Sequence, residues 1–540
     1  MSNADEIILD MEWVETLQNI VAETKWDNLR TVKPTIFRVP KHLRDNDNSN
    51  AYDPICISLG PYHRHEERLQ AMHNLKWHCL KKFLNLDHDK TLADYLKLMK
   101  KLESQARIAY SEDIVDMNSN DFALMLLLDG CFVLWIIIFL FLMSKEGELE
   151  EVQNPIKSTK EGELEQVQNP IKSTKEGELE QVQNPIKSMP WALPLVARDM
   201  LALENQLPFL ILDELYDFAN FRGHFSTSFS FVELAFIFFN TFLDGLEMKM
   251  PSNAEAQFHH LLHLVHSCVI PLENQDGGES STGSMWPLLN NISSDLHRYF
   301  SSCIKKLHCY GSTAEEEDNV AISHRYYSLC MKMLHCYGLE GEVDDNACSS
   351  VALISVALIP TATQLMEAGV QLKRKKKAAN ILDITFKNGK LEIPQLVVDD
   401  YTNKLFRNLI AFEQCYEDVN QHFTLYQVAM DCIIDTAADV VLLQDAGIIA
   451  NCLGDSKGVS KLFNNLGTEV TYDAERSYLS GVFMSINNHC NKKHNKWRAR
   501  LNHDYFSNPW AIISVVAAIV LFVLTITQTI YTVLAYLRSP

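Results

Sequence analysis

The chain has 540 residues, of which 47% are apolar and 22% charged, and its formal net charge is −21 at pH 7. An acidic surface repels a phosphate backbone, so we expect no nucleic-acid partner. Thirteen cysteines without a CxxC pair predict reduced thiols in a cytosolic body. The acidic N-terminus, MSNADEIILDMEWVE, predicts that there is no signal peptide.

After an acidic segment at residues 1–33, residues 34–144 are predicted to begin a helical domain. Within them, Gly60-Pro61-Tyr62-His63 is typical of a turn, and the apolar spacing from Arg68 to Leu84 predicts a helix. Two interpretations of GPYHRHEER remain open: a turn leading into that helix, or a metal or acid–base site. The candidate side chains for such a site are His63, His65, Glu66 and Glu67.

The segment Phe122–Met143, FALMLLLDGCFVLWIIIFLFLM, is strongly apolar. Asp129 and Gly130 interrupt it, and the uninterrupted part is too short to cross a bilayer, which favours a buried helix over a second membrane span. If the segment did span, the middle of the protein would be lumenal and the acceptor sequon at Asn291 would be open to glycosylation.

Three copies of a 15-residue unit, beginning with KEGELEEVQNPIKST, fill residues 145–189. Each copy contains a helix-breaking Asn-Pro and few large apolar residues, so the unit cannot build a solenoid core. We predict an exposed, disordered insertion with at most a short helical turn per copy.

The helical domain is expected to continue through residues 190–305. Glu204-Asn205-Gln206 stands before Pro208, where three polar groups either line a pocket or satisfy helix-end backbone groups. In FHHLLHLVH, His259, His263 and His266 share one helical face next to His260, with Leu262 and Val265 on the buried side. We interpret the histidines as the polar face of an amphipathic helix and keep a zinc site as the alternative.

Residues 306–360 contain short duplications and acidic runs and are predicted to form a variable linker, after which the domain resumes at 361–507. Helical spacing recurs over Ala362–Val370 and Tyr426–Leu443. In residues 381–398 the apolar period changes around Asn388-Gly389, which predicts a β-hairpin whose second strand is an edge strand or is ended by Pro394.

A dense basic run precedes the hairpin and consists of Lys373, Arg374, Lys375, Lys376 and Lys377. Three interpretations remain open: a nuclear signal, a contact with anionic lipid, or a solvated loop.

Residues 508–540 are predicted to form a transmembrane helix, because no charge occurs between Trp510 and Tyr536. Trp510, Tyr531 and Tyr536 are placed like interfacial anchors. The basic residues upstream place the body in the cytosol by the positive-inside rule, and the short remainder after the span predicts a tail anchor. The expected membrane is the plasma membrane or an endomembrane.

Seven motifs in order along the chain resemble a plant family called domain of unknown function 247. They are IFRVP (36–40), YDPICISLGPYHR (52–64), LLLDGCFVL (126–134), DMLALENQLPFLIL (199–212), LMEAGVQL (365–372), ILDITFKNGKLEIPQL (381–396) and FRNLIAFEQC (406–415). The resemblance implies one large, mainly α domain with a C-terminal membrane helix and no established enzyme activity. Some members of the family are implicated in self-incompatibility in grasses, which implies a recognition role.

Eleven positions of these motifs are the candidate functional residues: Gly60, Pro61, Tyr62, His63, Asp129, Gly130, Glu204, Asn205, Gln206, Asn408 and Glu413. The helix of FRNLIAFEQC also contains Arg407, and both Arg407 and Glu413 are expected to pair with other segments rather than to act in catalysis.

The fold class that follows is mainly α with a small β-hairpin and one C-terminal transmembrane helix. We expect a membrane-tethered recognition or signalling protein with a protein partner and no cofactor. The alternatives are an enzyme of unrecognised type with a site around His63, Glu204 or the His259 helix, and a drifting paralogue without function.

Overall fold

A computed structural model describes most of the domain and the C-terminal helix. The described residues are 15–16, 33–45, 50–86, 89–153, 192–224, 229–243, 245–251, 257–270, 359–473, 477–501 and 509–538. The linker predicted at 306–360 lies outside them except for its last two residues, as do Asn291 and most of the repeats.

The described part is mainly helical, as predicted. The helices before the repeats are α1 (Lys41–Asp45), α2 (His73–Leu86), α3 (Leu92–Ile108) and α4 (Ser119–Gln153). Those between the repeats and the linker are α5 (Ala192–Asp199), α6 (Phe209–Phe218), α7 (Phe221–His224), α8 (Phe231–Phe242) and α9 (Leu261–Val269). The remaining ones are α10 (Ala362–Glu367), α11 (Thr402–Cys415), α12 (His422–Ile433), α13 (Ala437–Asp445), α14 (Ser456–Leu466), α15 (Ser480–Cys490), α16 (Lys493–Leu501) and α17 (Pro509–Arg538).

Helix α4 is the centre of the N-terminal half of the core, where α2, α3, α6 and α8 pack around it. Its stretch Ser119–Leu142 contains an 18-residue window that is apolar on all sides, and 83% of that window is buried by these neighbours. A helix that is hydrophobic all round belongs in a core or a membrane, and here protein covers it. The structure therefore supports the buried helix rather than a second span at Phe122–Met143.

Helix α4 continues to Gln153, nine residues into the first repeat. The remaining copies lie outside the described residues, and the disorder predicted for them stays a prediction.

The predicted hairpin is confirmed between β2 (Thr385–Lys387) and β3 (Lys390–Ile393), which pair antiparallel. Asn388 and Gly389 both have positive φ, 53° and 73°, as a two-residue turn of this type requires.

The sheet around this hairpin differs from the prediction in extent. Strand β1 (Gln371–Arg374) adds to β3 in parallel, so β3 is central and not an edge strand. Strand β4 (Leu396–Val398), which follows Pro394, leaves the hairpin and pairs with β5 (Ile449–Asn451) in a second sheet. A proline without an N–H separates the two pairings.

Three predicted helices have different bounds in the structure. A 3₁₀ turn at Glu67–Met72 precedes α2, and α10 ends at Glu367. The stretch Tyr426–Leu443 is not one helix, because α12 and α13 meet at a break where Thr436 and Asp439 form a capping box.

Candidate functional site

The carboxylate of Asp199, at the end of α5, organises a buried loop of the N-terminal segment. It accepts three consecutive backbone N–H groups, from Ile55 (2.8 Å), Cys56 (2.5 Å) and Ile57 (2.9 Å). The ammonium of Lys404 on α11 lies 3.0 Å from the same carboxylate. One fully buried side chain thus joins three distant parts of the chain.

Asn205 and Gln206 act on backbone groups, as the second interpretation of the ENQ motif predicts. Asn205 accepts from Leu59 N and donates to the carbonyls of Ile57 and Asp199. Gln206 donates to the carbonyls of Met200 and Ala202 and accepts from Leu262 N at the start of α9. Both amides are fully used inside the core, which satisfies backbone groups that would be costly to bury alone.

Glu204 is the third member of the motif and is the centre of a buried ion cluster. Its Oε1 accepts from Val39 N and from Arg44, each at 2.8 Å. Its Oε2 lies 3.2 Å from His63 Nε2, an ion-pair distance with poor hydrogen-bond alignment, and 3.6 Å from Arg38.

These contacts shift the pKa values of both Glu204 and His63. Burial raises the pKa of Glu204, but the contacts with His63, with Arg44 and with the Val39 N–H outweigh it and lower the pKa to about 2. Burial lowers the pKa of His63, but its carboxylate neighbours Glu204 and Glu66 outweigh that effect and raise it. A charged Glu204 and a charged His63 therefore stabilise each other.

We expect Glu204 to make the protein sensitive to acid. Its pKa is lowered from 4.5 to about 2 in the fold, so its contribution of about 3 kcal/mol is present above pH ~4.5 and lost as the pH falls towards 2. Glu204→Gln should lower the free energy of unfolding at pH 7 and flatten its pH dependence between about 5 and 2. Unfolding of the full chain in detergent, followed by circular dichroism across this range, measures both effects.

Gly60 is placed at a close approach between the N-terminal loop and the ENQ motif. Its φ is +69°, and a Cβ there would lie 2.8 Å from the carbonyl oxygen of Gln206 and 3.1 Å from the hydroxyl of Tyr110. The Gly60 N–H donates to Asp129 on α4 at 2.9 Å, and Asp129 pairs with the buried Lys76 at 2.6 Å. Residues 62–65 form a turn, and the 3₁₀ turn at Glu67–Met72 then leads into α2, in agreement with the turn interpretation of GPYHRHEER.

We predict that Gly60→Ala destabilises the fold by about 2–4 kcal/mol, because it combines left-handed backbone strain with overpacking. Gly458→Ala on α14 is the control, since a Cβ there meets nothing within 4 Å and alanine favours a helix. Gly60→Ala removes no titratable group, so it should lower the free energy of unfolding by the same amount at every pH. Glu204→Gln, in contrast, should change the pH dependence itself. Equal stability of the two alanine variants would contradict the prediction.

The motif on α11 makes the same kind of contact. Asn408 accepts from Leu203 N and donates to the carbonyls of Ala51 and Lys404. Glu413 lies 2.7 Å from His266 Nε2 and accepts the N–H groups of Phe423 and Thr424. Glu413 pairs with another segment, as predicted, and so does Arg407, which donates to the carbonyl of Asn465 as well as to Asn403 on its own helix.

The histidines of FHHLLHLVH do not form the exposed polar face that the spacing suggests. His260 and His266 are fully buried; His260 accepts from His263 N at the start of α9, and its Nε2 lies 3.0 Å from the carbonyl oxygen of Thr35. Burial lowers the pKa of His259, His260 and His263, the last to about 3. The prediction of a solvated face is wrong because α11 packs on this side, with Phe412 against the rings of His260, His263 and His266. The prediction that Leu262 and Val265 are buried is confirmed.

Other candidate positions support the packing of the same region. Tyr62 packs under the guanidinium of Arg38, 4.4 Å from the ring centroid, and Gly130 lets Leu215 approach α4. A cavity of about 200 Å³ beside the turn is lined in part by Arg64, His65 and the Lys76–Asp129 pair. Within the described residues, no group of three or more His, Cys, Asp or Glu side chains has the arrangement of a metal site.

The basic run and the predicted anchors lie far from this network in the chain. Lys373 and Arg374 belong to strand β1, so the loop interpretation is wrong for them. Tyr531 on α17 is exposed, and the side chains of Trp510 and Tyr536 lie outside the described ones.

The sequence reasoning missed Asp199, Lys404, Arg44 and Lys76, the charged partners that complete the network. Asp199 directly precedes the quoted MLALENQ stretch, so its place in that motif was the available signal. No pattern in the sequence marks Lys404, Arg44 or Lys76 as a partner in this network.

Comparisons with known proteins identify the family of the chain. A family model described as a plant protein of unknown function, DUF247, matches residues 36–524. The chain is similar to UPF0481 protein At3g47200 of Arabidopsis thaliana, 28% identical over 93% of this chain and 87% of the relative. It is also similar to putative UPF0481 protein At3g02645 of the same plant, 22% identical over 96% and 94%. No solved structure matches the chain. Since the family model covers most of its length, the chain belongs to the DUF247 family of plant proteins.

Proposed function

We propose that this is a membrane-anchored recognition protein whose helical body lies in the cytosol and binds another protein. Helix α17 is the anchor. The buried polar network keeps the body in one conformation, so that its surface is available for a partner.

The observation that carries the proposal is the exposure of α17. The helix has 30 residues, or about 45 Å, which exceeds the ~30 Å hydrocarbon core. Every described side chain from 513 to 534 is exposed, including Leu521, Phe522 and Leu524. A continuous apolar surface of this size is unfavourable in water and favourable in lipid.

The contrast with α4 supports this assignment. Two described helices are long and apolar enough to cross a membrane, and they differ in the burial of their most apolar 18-residue window: 83% in α4 and 0% in α17. Protein already surrounds α4, whereas lipid is the natural surrounding for α17.

The charges that flank α17 support one orientation in the membrane. Five Lys and Arg residues precede α17 between 492 and 500, and Arg538 follows the apolar stretch. The positive-inside rule then favours a cytosolic body.

A recognition role is favoured over the enzymatic alternative by what the polar motif residues do. His63 and Glu204, on which a catalytic site would depend, contact each other and further internal partners. These contacts give the motif residues a structural role and leave the acidic surface to meet other molecules.

Membrane extraction of the full chain from plant cells tests the anchor. We expect the protein to stay in the membrane pellet at alkaline pH, and Val520→Lys with Leu524→Lys to release it, because lysine at the centre of a span is unfavourable. The matched control is Ile55→Lys with Trp77→Lys, which changes two exposed apolar side chains of the body and should leave the protein in the pellet. Release of the unmodified chain would contradict the anchor.

Cross-linking in intact microsomes tests recognition. We expect one cross-linked protein that also binds the purified full chain saturably. If no cross-linked protein bound the purified chain saturably, the recognition role would be contradicted, and the anchor would be unaffected.

A further inference from the structure

We propose that the three-stranded sheet and the segment before the membrane helix form one basic face that binds the anionic lipid surface. The inference rests on the proposed anchor, and goes beyond it by assigning a second, polar contact that orients the body. The basic face consists of Lys373, Arg374, Lys376, Lys377, Lys387 and Lys390 on the sheet side and Lys492, Lys493, Lys496, Arg498 and Arg500 at α16, all exposed.

The two halves of the basic face are about 100 residues apart in sequence but adjacent in the fold. The hairpin turn abuts α15, since a Cβ at Gly389 would lie 3.0 Å from Cε1 of His489. The start of β1 abuts α16 in the same way, with a Cβ at Gly369 lying 2.9 Å from Nη1 of Arg498. The basic residues of the sheet and those of the juxtamembrane helix are therefore neighbours in the fold.

The strand register groups the sheet's lysines. Lys387 stands directly opposite Lys390, and Lys373 stands opposite Glu392, two positions further along β3. Because side chains alternate along a strand, these lysines share one face of the sheet. Like charges directly opposite each other are unfavourable, and an anionic surface would relieve that repulsion.

The charge of this region is the reverse of the charge of the whole chain. Residues 371–393 and 477–501 together contain twelve Lys or Arg and two carboxylates, Asp383 and Glu392, against a net charge of −21 for the chain. Asp383 is bonded to Lys375 at 2.6 Å. Among the described residues no ion pair neutralises the eleven cations of the basic face. Trp497 is 77% exposed between the cations of α16, and tryptophan is enriched where proteins meet lipid headgroups.

The distance to the membrane is limited by the chain. Seven residues, 502–508, separate Leu501 from Pro509, so even a fully extended connection holds the end of α16 within about 28 Å of α17. Such a tether gives the face a high effective concentration at the lipid surface. Each cation that reaches anionic lipid then favours the docked body by about fivefold.

The test is residue-resolved lysine labelling of the full chain in lipid nanodiscs. Discs of phosphatidylcholine alone are compared with discs containing about one third phosphatidylserine, and a water-soluble amine reagent is read out by mass spectrometry. We expect labelling of Lys373, Lys376, Lys387 and Lys390 to fall at least about fivefold on the anionic discs and to recover at about 0.5 M salt. Lys81, Lys457 and Lys461, exposed elsewhere on the body, should not change.

A charge-reversal variant tests whether the sheet takes part. Lys373→Glu, Lys376→Glu and Lys377→Glu together should reduce the protection of Lys492, Lys493 and Lys496 by at least about fivefold. The matched control, Lys81→Glu with Lys457→Glu and Lys461→Glu, should retain it. Full protection of α16 in the sheet variant would overturn the joint face.

The remaining outcomes separate this inference from the anchor. Equal labelling on both kinds of disc, with the protein still in the discs, overturns the basic face and leaves the anchor standing. Equal protection in lipid-free detergent also overturns it, because a protein contact would then be the cause. Failure of the chain to enter either kind of disc would contradict the membrane anchor, and with it the basic face that depends on the anchor.

Discussion

Asp199→Ala is expected to lower the free energy of unfolding by about 3–5 kcal/mol, one of the two largest single-residue effects in this protein. The substitution leaves the buried ammonium of Lys404 without its carboxylate and removes the acceptor of three backbone N–H groups, those of residues 55–57. An unpaired buried charge and unsatisfied donors each carry a desolvation penalty. Denaturation of the full chain in mild detergent, monitored by circular dichroism, gives the change.

Two further substitutions identify why Asp199→Ala lowers the free energy of unfolding. Asp400→Ala changes an exposed aspartate close to α11 in sequence and should stay within about 0.5 kcal/mol of the unmodified protein. Asp199→Asn keeps the side-chain shape but loses the charge, and should recover only part of the stability. If Asp199→Ala matched Asp400→Ala, the central place of Asp199 in the network would be wrong.

Glu413→Ala is expected to cost a similar amount, about 3–5 kcal/mol, for a related reason. Helix α12 has no side-chain cap of its own at Gln421. Glu413 replaces that cap from the neighbouring helix by accepting the N–H groups of Phe423 and Thr424 and the Thr424 hydroxyl. A carboxylate at a helix N-terminus also interacts favourably with the helix dipole.

Amide exchange at the start of α12 distinguishes a lost cap from general destabilisation. Glu413→Ala should expose the amides of Phe423 and Thr424 to exchange before the rest of α12 opens. Glu417→Ala is the control, because Glu417 is 83% exposed and its pair with Lys33 lies on the surface, where solvent screens it. Unchanged exchange at both amides would contradict the capping role.

Local patterns in the sequence predicted the parts of the fold that depend on neighbouring residues. Asn388-Gly389 fixed the hairpin because both residues tolerate the positive φ that the turn needs. In α4, Asp129 and Gly130 interrupt the apolar run, and the short uninterrupted part favoured a buried helix over a membrane span. In the ENQ motif, three polar groups between apolar segments indicated bonds to backbone groups, which the amides of Asn205 and Gln206 make.

The parts that could not be predicted depend on pairings between distant residues. Asp199 and Lys404 are separated by 205 positions and His266 and Glu413 by 147. Nothing local to His266 distinguishes a buried histidine with a carboxylate partner from one on a solvated face. The parallel pairing of β1 with β3, and that of β4 with β5, likewise bring together segments that no short pattern connects.

Topology in plant microsomes is the most direct test of the central claim, that α17 anchors a cytosolic body. The full chain and a chain without residues 508–540, each with an N-terminal tag, are compared for protease protection and for glycosylation at Asn291. The account predicts a body that is digested in intact microsomes, unglycosylated, and soluble once α17 is removed. A protected or glycosylated body would contradict it and would place the body on the lumenal side of the membrane.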